Sequence, residues 1–90
     1  MLVKTKFMGH FVDLFGAEKD VELERGANLH DLAMAVCTSK DCYQALFTDE
    51  GKPKPEVEIM RKGSKVQLLH EANTKLSSTD VITFYPHIAI

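Results

Sequence analysis

The side chains that could carry chemistry in this chain of 90 residues are two cysteines and four histidines. Cys37 and Cys42 do not have the CxxC spacing of a redox dithiol or of half a zinc site. No two histidines stand four positions apart, the helical spacing that directs two imidazoles to one zinc ion. We therefore predict that the protein is not an enzyme and binds no metal ion or cofactor. The four histidines are His10, His30, His70 and His87.

A second candidate for a functional segment is the stretch from residue 80 to residue 90. It begins as a strand and ends in a free carboxylate. Its residues 81–85 are all β-branched or aromatic, and they alternate as a strand does. Pro86 has no N–H to donate, so we expect the strand to stop there and a short tail, 86–90, to follow. A core strand that leads directly into a tail makes the tail a candidate functional segment. The alternative is that the chain simply ends at a strand.

Composition excludes several classes of function. The chain is 44% hydrophobic and 27% charged, and its length suits one domain covering residues 1–90. Eleven basic and 13 acidic side chains give a net charge of −2, so we expect no nucleic-acid partner. No apolar run has membrane-spanning length, and the N-terminus lacks the apolar core of a signal peptide. We expect a cytoplasmic protein without a membrane partner, whose cysteines stay reduced.

The first half of the chain predicts two strands and a helix. Residues 2–8 and 19–24 alternate, and we expect them to pair antiparallel, with residues 10–15 as a loop or short turn that packs on the core. Asn28 is the predicted N-cap of a helix over residues 29–38, with Asp31 in its first turn. Apolar residues then recur at helical spacing, and residues 41–47 are expected to add a further turn. These apolar positions are Leu29, Leu32, Ala33 and Val36.

The second half predicts two more strands before the last one. A polar loop over 48–55 leads to strands at 57–61 and 65–69, and Leu76 is expected to fill the core. One amphipathic helix can cover one face of a mixed sheet, so we predict a two-layer α+β domain with four or five strands. If the first and last strands lie parallel at the centre, the arrangement is the β-grasp, or ubiquitin-like, fold. The pattern alone does not fix the strand order.

Segments along nearly the whole chain resemble the ubiquitin-like sulfur carriers, that is, the small subunit of molybdopterin synthase and the thiamine sulfur carrier. Each segment is weakly specific, and their common order carries the resemblance. The matching segments are residues 3–7, 28–32, 46–47, 57–63, 73–76 and 80–86. The resemblance implies the β-grasp fold and a protein partner, either an adenylating enzyme or a large synthase subunit.

The tail departs from that family's pattern, which ends in Pro-Pro, an aliphatic residue, a small residue and Gly-Gly. Pro86 and Ile88 fit, but His87 replaces the second proline and Ile90 stands where the first glycine belongs. The resemblance implies that a carrier's terminal carboxylate is adenylated and converted to a thiocarboxylate. Glycine lets backbone pass close to a partner, whereas a β-branched side chain beside the carboxylate crowds attack.

We therefore predict a non-catalytic protein-binding module, with a genuine sulfur carrier for the molybdenum or tungsten cofactor, or for a related sulfur pathway, as the alternative. The binding surface of the predicted module would combine the tail with outward-facing apolar residues on the sheet face away from the helix. The predicted binding residues are Met8, Val81, Tyr85, Pro86, His87, Ile88, Ala89 and Ile90.

Overall fold

Two strands from opposite ends of the chain lie side by side at the centre of the sheet. The computed structural model of the protein describes residues 1–62, 66–69 and 74–86. In those ranges the elements are β1 (Leu2–Phe7), α1 (Phe11–Phe15), β2 (Glu18–Glu22), α2 (Leu29–Val36), α3 (Lys40–Leu46), β3 (Val57–Arg61), β4 (Val66–Leu68) and β5 (Val81–Pro86).

The strands form one mixed sheet in the order β2-β1-β5-β3-β4. β1 and β5 are parallel, with Lys4 opposite Val81 and Phe7 opposite Phe84. Each of these two strands has an antiparallel neighbour on its other side, β2 for β1 and β3 for β5. The α+β class and the β-grasp arrangement predicted from the sequence are therefore confirmed.

Side chains along each strand point alternately to the two faces of the sheet, and one of these faces is buried while the other is open. On β1, Val3, Thr5 and Phe7 are buried, whereas Leu2 and Lys4 are exposed. The hydroxyl of Thr5 donates to the Val3 carbonyl at 3.3 Å, which satisfies a polar group inside the core. The other strands extend the same layer, and their fully buried side chains include Val57, Ile59, Ile82 and Phe84.

α2 lies on the buried face and starts where the sequence predicted. The Asn28 side chain accepts from the Asp31 amide at 2.9 Å, and the Asp31 carboxylate accepts from the Asn28 amide at 3.0 Å. This reciprocal capping box satisfies two amides that the first helical turn leaves without partners. The helix ends at Val36 rather than at the predicted residue 38, because the Cys37 amide turns back to the Met34 carbonyl.

A short helix, α1, occupies residues predicted as a loop or short turn. Phe11 and Phe15 are four positions apart and both buried, so one helical turn places both rings in the core. Gly9 and Gly16 have φ values of +59° and +89°, which lets the chain reverse on either side of this turn. The Phe15 ring stacks on Phe7 with centroids 4.6 Å apart.

A third helix, α3, forms where the sequence predicted only a further turn. The Ser39 hydroxyl accepts from the Cys42 amide at 3.2 Å, which caps a separate helix rather than continuing α2. Cys42 and Leu46 are its buried residues. In the described part of the chain, three helices therefore cover the sheet, and none of them is long and apolar enough to cross a bilayer.

Candidate functional site

The open face of the sheet, turned away from the helices, is the candidate site. Across β1, β5 and β3 its side chains form three rows, because these strands pair in register. Main-chain hydrogen bonds from Met8 to the Phe84 carbonyl, 3.1 Å, and from Lys62 to the Val81 carbonyl, 3.0 Å, extend the pairing at both ends. The rows are Lys4–Val81–Lys62, Lys6–Thr83–Met60 and Met8–Tyr85–Glu58.

Of the predicted binding residues that the structure describes, Met8, Val81 and Tyr85 lie on this face, whereas Pro86 is buried. Met8 is 48% exposed, and Val81 and Tyr85 are partly exposed. Met8 and Tyr85 belong to the same row, whereas Val81 lies two rows away beside Lys4. The other predicted residues, His87, Ile88, Ala89 and Ile90, lie outside the described residues.

Three lysines on the open face were not among the predicted binding residues. Lys4, Lys6 and Lys62 line a shallow depression of about 360 Å³ together with Met60, Val81 and Thr83. The sequence could have placed two of them on this face, because Lys4 and Lys6 alternate with the buried residues of the first strand. Lys62 could not be grouped with them without knowing that β5 separates β1 from β3.

Pro86, at the end of β5, packs against Gly9. It is the last residue of β5, opposite Val57, and it is buried. A Cβ atom on Gly9 would lie only 2.9 Å from the Pro86 Cγ, inside van der Waals contact. Gly9 is thus the residue that lets the proline ring pack at the β1–α1 turn.

We expect Gly9→Ala to be more destabilising than Gly26→Ala. Both glycines have positive φ, +59° and +87°, so each alanine adds about 1–2 kcal/mol of backbone strain. Only the alanine at position 9 also collides with Pro86, since nothing lies within 4 Å of the Cβ position at Gly26. Overpacking of this kind adds about 1 kcal/mol or more. Urea denaturation of both variants measures the difference, and equal losses would show that the Pro86 contact is unimportant.

An ion pair fixes the start of β5 to the end of β3. The Arg61 Nε and Nη2 donate to the two carboxylate oxygens of Asp80 at 2.7 and 2.6 Å. The Ser77 amide donates to the same carboxylate at 2.8 Å. Burial alone would raise the pKa of Asp80, but these hydrogen bonds and the Arg61 charge outweigh it and lower that pKa.

Both cysteine thiols donate hydrogen bonds to main-chain carbonyls of the protein itself. Cys42 is buried and its thiol donates to the Leu14 carbonyl at 3.4 Å. Burial raises the pKa of the Cys37 thiol to about 11, nearby Cys42 adds to the effect, and Lys19 opposes it. At neutral pH Cys37 is therefore a thiol rather than the reactive thiolate.

The histidines in the described ranges contact aromatic rings. His30 packs edge-on against Phe47 with centroids 5.5 Å apart, and His10 does the same against Phe11 at 5.1 Å. Among residues 1–62, 66–69 and 74–86, no three histidine, cysteine or acidic side chains are grouped as metal ligands. His70 and His87 are not among the described residues.

The loop over residues 48–55 forms a second candidate surface. It borders an open depression of about 720 Å³. The Lys52 ammonium, whose side chain is 77% exposed, lies 4.0 Å from the Glu50 carboxylate, a distance typical of a weak surface pair. The acidic residue beside Lys52 thus offsets part of the basic character of this loop. The residues that line the depression are Thr48, Asp49, Glu50, Lys52, Pro53 and Pro55.

Comparison with solved structures places the whole chain in a known fold. No family model matches the chain, and no curated protein matches it either. A crystal structure of SAMP1 from Haloferax volcanii has a TM-score of 0.79 at 17% identity, covering 100% of this chain and 99% of that chain. A second, of the small archaeal modifier protein 1 from the same organism, has a TM-score of 0.78 at 18% identity, with 97% and 98% covered.

A putative molybdopterin converting factor, subunit 1, from Pyrococcus furiosus is also similar. Its TM-score is 0.66 at 22% identity, covering 98% of this chain and 99% of that chain. At these identities the likeness is one of fold. The resemblance to the small subunit of molybdopterin synthase drawn from the sequence is therefore confirmed at the level of fold, and the chain has the ubiquitin-like β-grasp fold of these small proteins.

Proposed function

We propose that this protein is a non-catalytic binding module that docks on a protein partner in the cytoplasm through the open face and the tail. The observation that carries the proposal is that Met8 and Tyr85, neighbours in one row, leave apolar surface in solvent next to Pro86, the last residue of β5. Grouped apolar side chains on a surface are typical of interaction sites. The proposed contact residues are Met8, Val81, Tyr85, Pro86, His87, Ile88, Ala89 and Ile90.

The position of Pro86 supports this use of the tail. β5 is paired with β1 as far as Phe84 and with β3 as far as Pro86, and Pro86 packs against Gly9. The segment that follows therefore starts from a fixed point beside Met8. A partner that covers Met8 and Tyr85 would lie within reach of that segment and could bind both surfaces at once.

Ile90 favours binding over covalent transfer. It occupies the position at which the carrier pattern has its first glycine. A β-branched side chain restricts the backbone at a position where the carrier pattern uses glycine to let the tail pass close to a partner. By resemblance, the partner is an adenylating enzyme or a large synthase subunit, bound here without transfer of sulfur.

Capture of partners from a lysate of the source cells tests the proposal. The immobilised parent protein is compared with a Met8→Ala, Tyr85→Ala double variant, which removes the apolar side chains and keeps the fold. The matched control is Leu14→Ala, Met34→Ala, because these two residues are 39% and 45% exposed on helices rather than on the sheet. We expect the double variant to lose partners that the control retains. If it keeps every partner that the parent captures, the proposal is wrong.

A second candidate function is sulfur carriage, which the similarity to a putative molybdopterin converting factor subunit favours. It requires that the Ile90 carboxylate be accepted despite its side chain, or that a glycine pair follow. Incubation with the cognate adenylating enzyme, ATP and a sulfur donor, followed by intact-mass measurement, decides between the two. Sulfur-for-oxygen exchange at the C-terminal carboxylate of the protein purified from its source cells would establish the carrier, and no mass gain there would eliminate it.

A further inference from the structure

The depression on the open face has an apolar floor and a basic rim. Val81, Thr83 and Met60 form its floor, since Val81 and Thr83 lie on the central strand β5 and Met60 lies opposite Thr83. The rim comes from Lys4 and Lys6 on one side and Lys62 on the other. In the described part of the chain, no acidic side chain lines this depression.

The rim lysines keep most of their charge available to a partner. Lys6 lies 3.7 Å from the Glu18 carboxylate, a long and exposed pair that contributes little binding energy. Lys4 is opposite Asp20 on the neighbouring strand, but the two are not within ion-pair distance. Within residues 1–62, 66–69 and 74–86, neither Lys4 nor Lys62 forms a salt bridge.

Among the described residues, the acidic side chains of the open face lie outside the depression: one row is on β2, on the far side of β1, and Glu58 is on β3, in the row of Met8 and Tyr85. Glu18, Asp20 and Glu22 pair with Lys6, Lys4 and Leu2, respectively, so they form a row beyond the lysines. A negatively charged segment would be repelled from this row and attracted to the depression. The lysine-lined depression is therefore the part of the open face that attracts a negatively charged segment.

From this arrangement we infer that the partner contacts the depression with an acidic peptide segment, its apolar side chains on Val81, Thr83 and Met60 and its carboxylates on Lys4, Lys6 and Lys62. The inference rests on the proposed function and names the chemistry of the partner. A free phosphate or a nucleic acid would make no use of the apolar floor, and the β2 acids would repel an extended polyanion. Flexible lysine ammonium groups at an open rim suit carboxylates spaced along a peptide.

A peptide titration tests this inference directly, because a short peptide can carry both the acidic and the apolar side chains. The probe is the capped peptide Asp-Glu-Ile-Leu-Val-Ile-Glu-Asp. It is compared with the same peptide carrying Asn and Gln in place of the acids, with a third carrying Lys at those places, and with oligothymidylate. Amide chemical shifts of the full protein are followed by NMR. We expect the acidic peptide to shift the amides of Val81, Thr83 and Met60, and to bind about tenfold more tightly than the neutral peptide.

Reversing the charge of two rim lysines on the protein provides the second part of this test. We expect Lys4→Glu, Lys62→Glu to weaken binding of the acidic peptide about tenfold and to create binding of the lysine peptide at the same amides. The control is Lys40→Glu, Lys52→Glu, which makes the same change in net charge at two exposed positions off the sheet and should leave binding unchanged.

The outcomes separate this inference from the proposed function. If the neutral peptide shifts the same amides with equal affinity, the open face still binds peptides and the acidic partner is wrong. If oligothymidylate binds as tightly as the acidic peptide, the rim attracts any polyanion and the inference fails. If no peptide shifts Val81, Thr83 or Met60, the inference is also overturned, whereas the proposed function stands or falls on the Met8 and Tyr85 capture experiment.

Discussion

Replacing Phe84 with alanine should lower the free energy of unfolding by about 3–5 kcal/mol, because it empties the centre of the core. Phe84 is fully buried on the central strand β5, opposite Phe7 on β1 and Ile59 on β3. Its ring stacks on Phe7 with centroids 5.5 Å apart, and Phe7 in turn stacks on Phe15. The substitution therefore removes contacts to both neighbouring strands and weakens the packing of α1.

Tyr85→Ala is the matched comparison for this prediction, because the next residue along β5 points to the open face. We expect it to lower the free energy of unfolding by about 1 kcal/mol or less, since only part of its side chain is removed from water. Urea denaturation followed by circular dichroism measures both variants. Equal destabilisation would mean that the two faces of β5 have been assigned wrongly.

Removing the Asp80 carboxylate should be the second most damaging change, with an expected loss of about 2–4 kcal/mol for Asp80→Ala. Asp80 is only 11% exposed and accepts two hydrogen bonds from Arg61 and one from the Ser77 amide. The alanine leaves a partly buried guanidinium and a main-chain amide without their partner. Arg61→Lys, which keeps the charge but not the two-pronged geometry, should lose less.

The same carboxylate makes stability depend on pH. The pKa of Asp80 is lower in the folded protein than in the unfolded chain, so its contribution is fully present above the ordinary aspartate pKa of about 3.9. It is lost as the pH falls below that value and through the lower folded pKa. We expect the parent to lose more stability than Asp80→Asn over this acid range. Denaturant unfolding from neutral pH downwards measures both proteins, and parallel curves would contradict the assignment.

The local sequence pattern was sufficient to predict those elements whose hydrophobic period or capping residue is clear in the sequence. The third strand, Val57–Arg61, and the N-cap Asn28 were predicted from sequence and are confirmed. α1 was missed because five residues are too few for a helical period to be recognised, although Phe11 and Phe15 have the spacing of one turn. α3 was underestimated because its start depends on the side chain of Ser39, a weak signal until its hydrogen bond is known.

The candidate site depends on contacts between distant parts of the chain. Sequence alternation correctly separated Met8 and Tyr85 from their buried neighbours. It could not show that Lys4 and Lys62 border one depression, because that requires the strand order and the register of three strands. The Arg61–Asp80 pair was missed for the same reason, since no sequence pattern around either residue indicates that the other will lie beside it.

The insertion of β5 between β1 and β3 has a consequence for synthesis on the ribosome. β5 is the last described strand to be translated, yet it supplies both the parallel partner of β1 and the antiparallel partner of β3. Until it emerges from the exit tunnel, the nascent chain has two sheet fragments with unpaired edges facing each other. Such edges are prone to pair with other chains. Completion of the sheet therefore waits for β5, and the arrival of this one strand closes both facing edges at once.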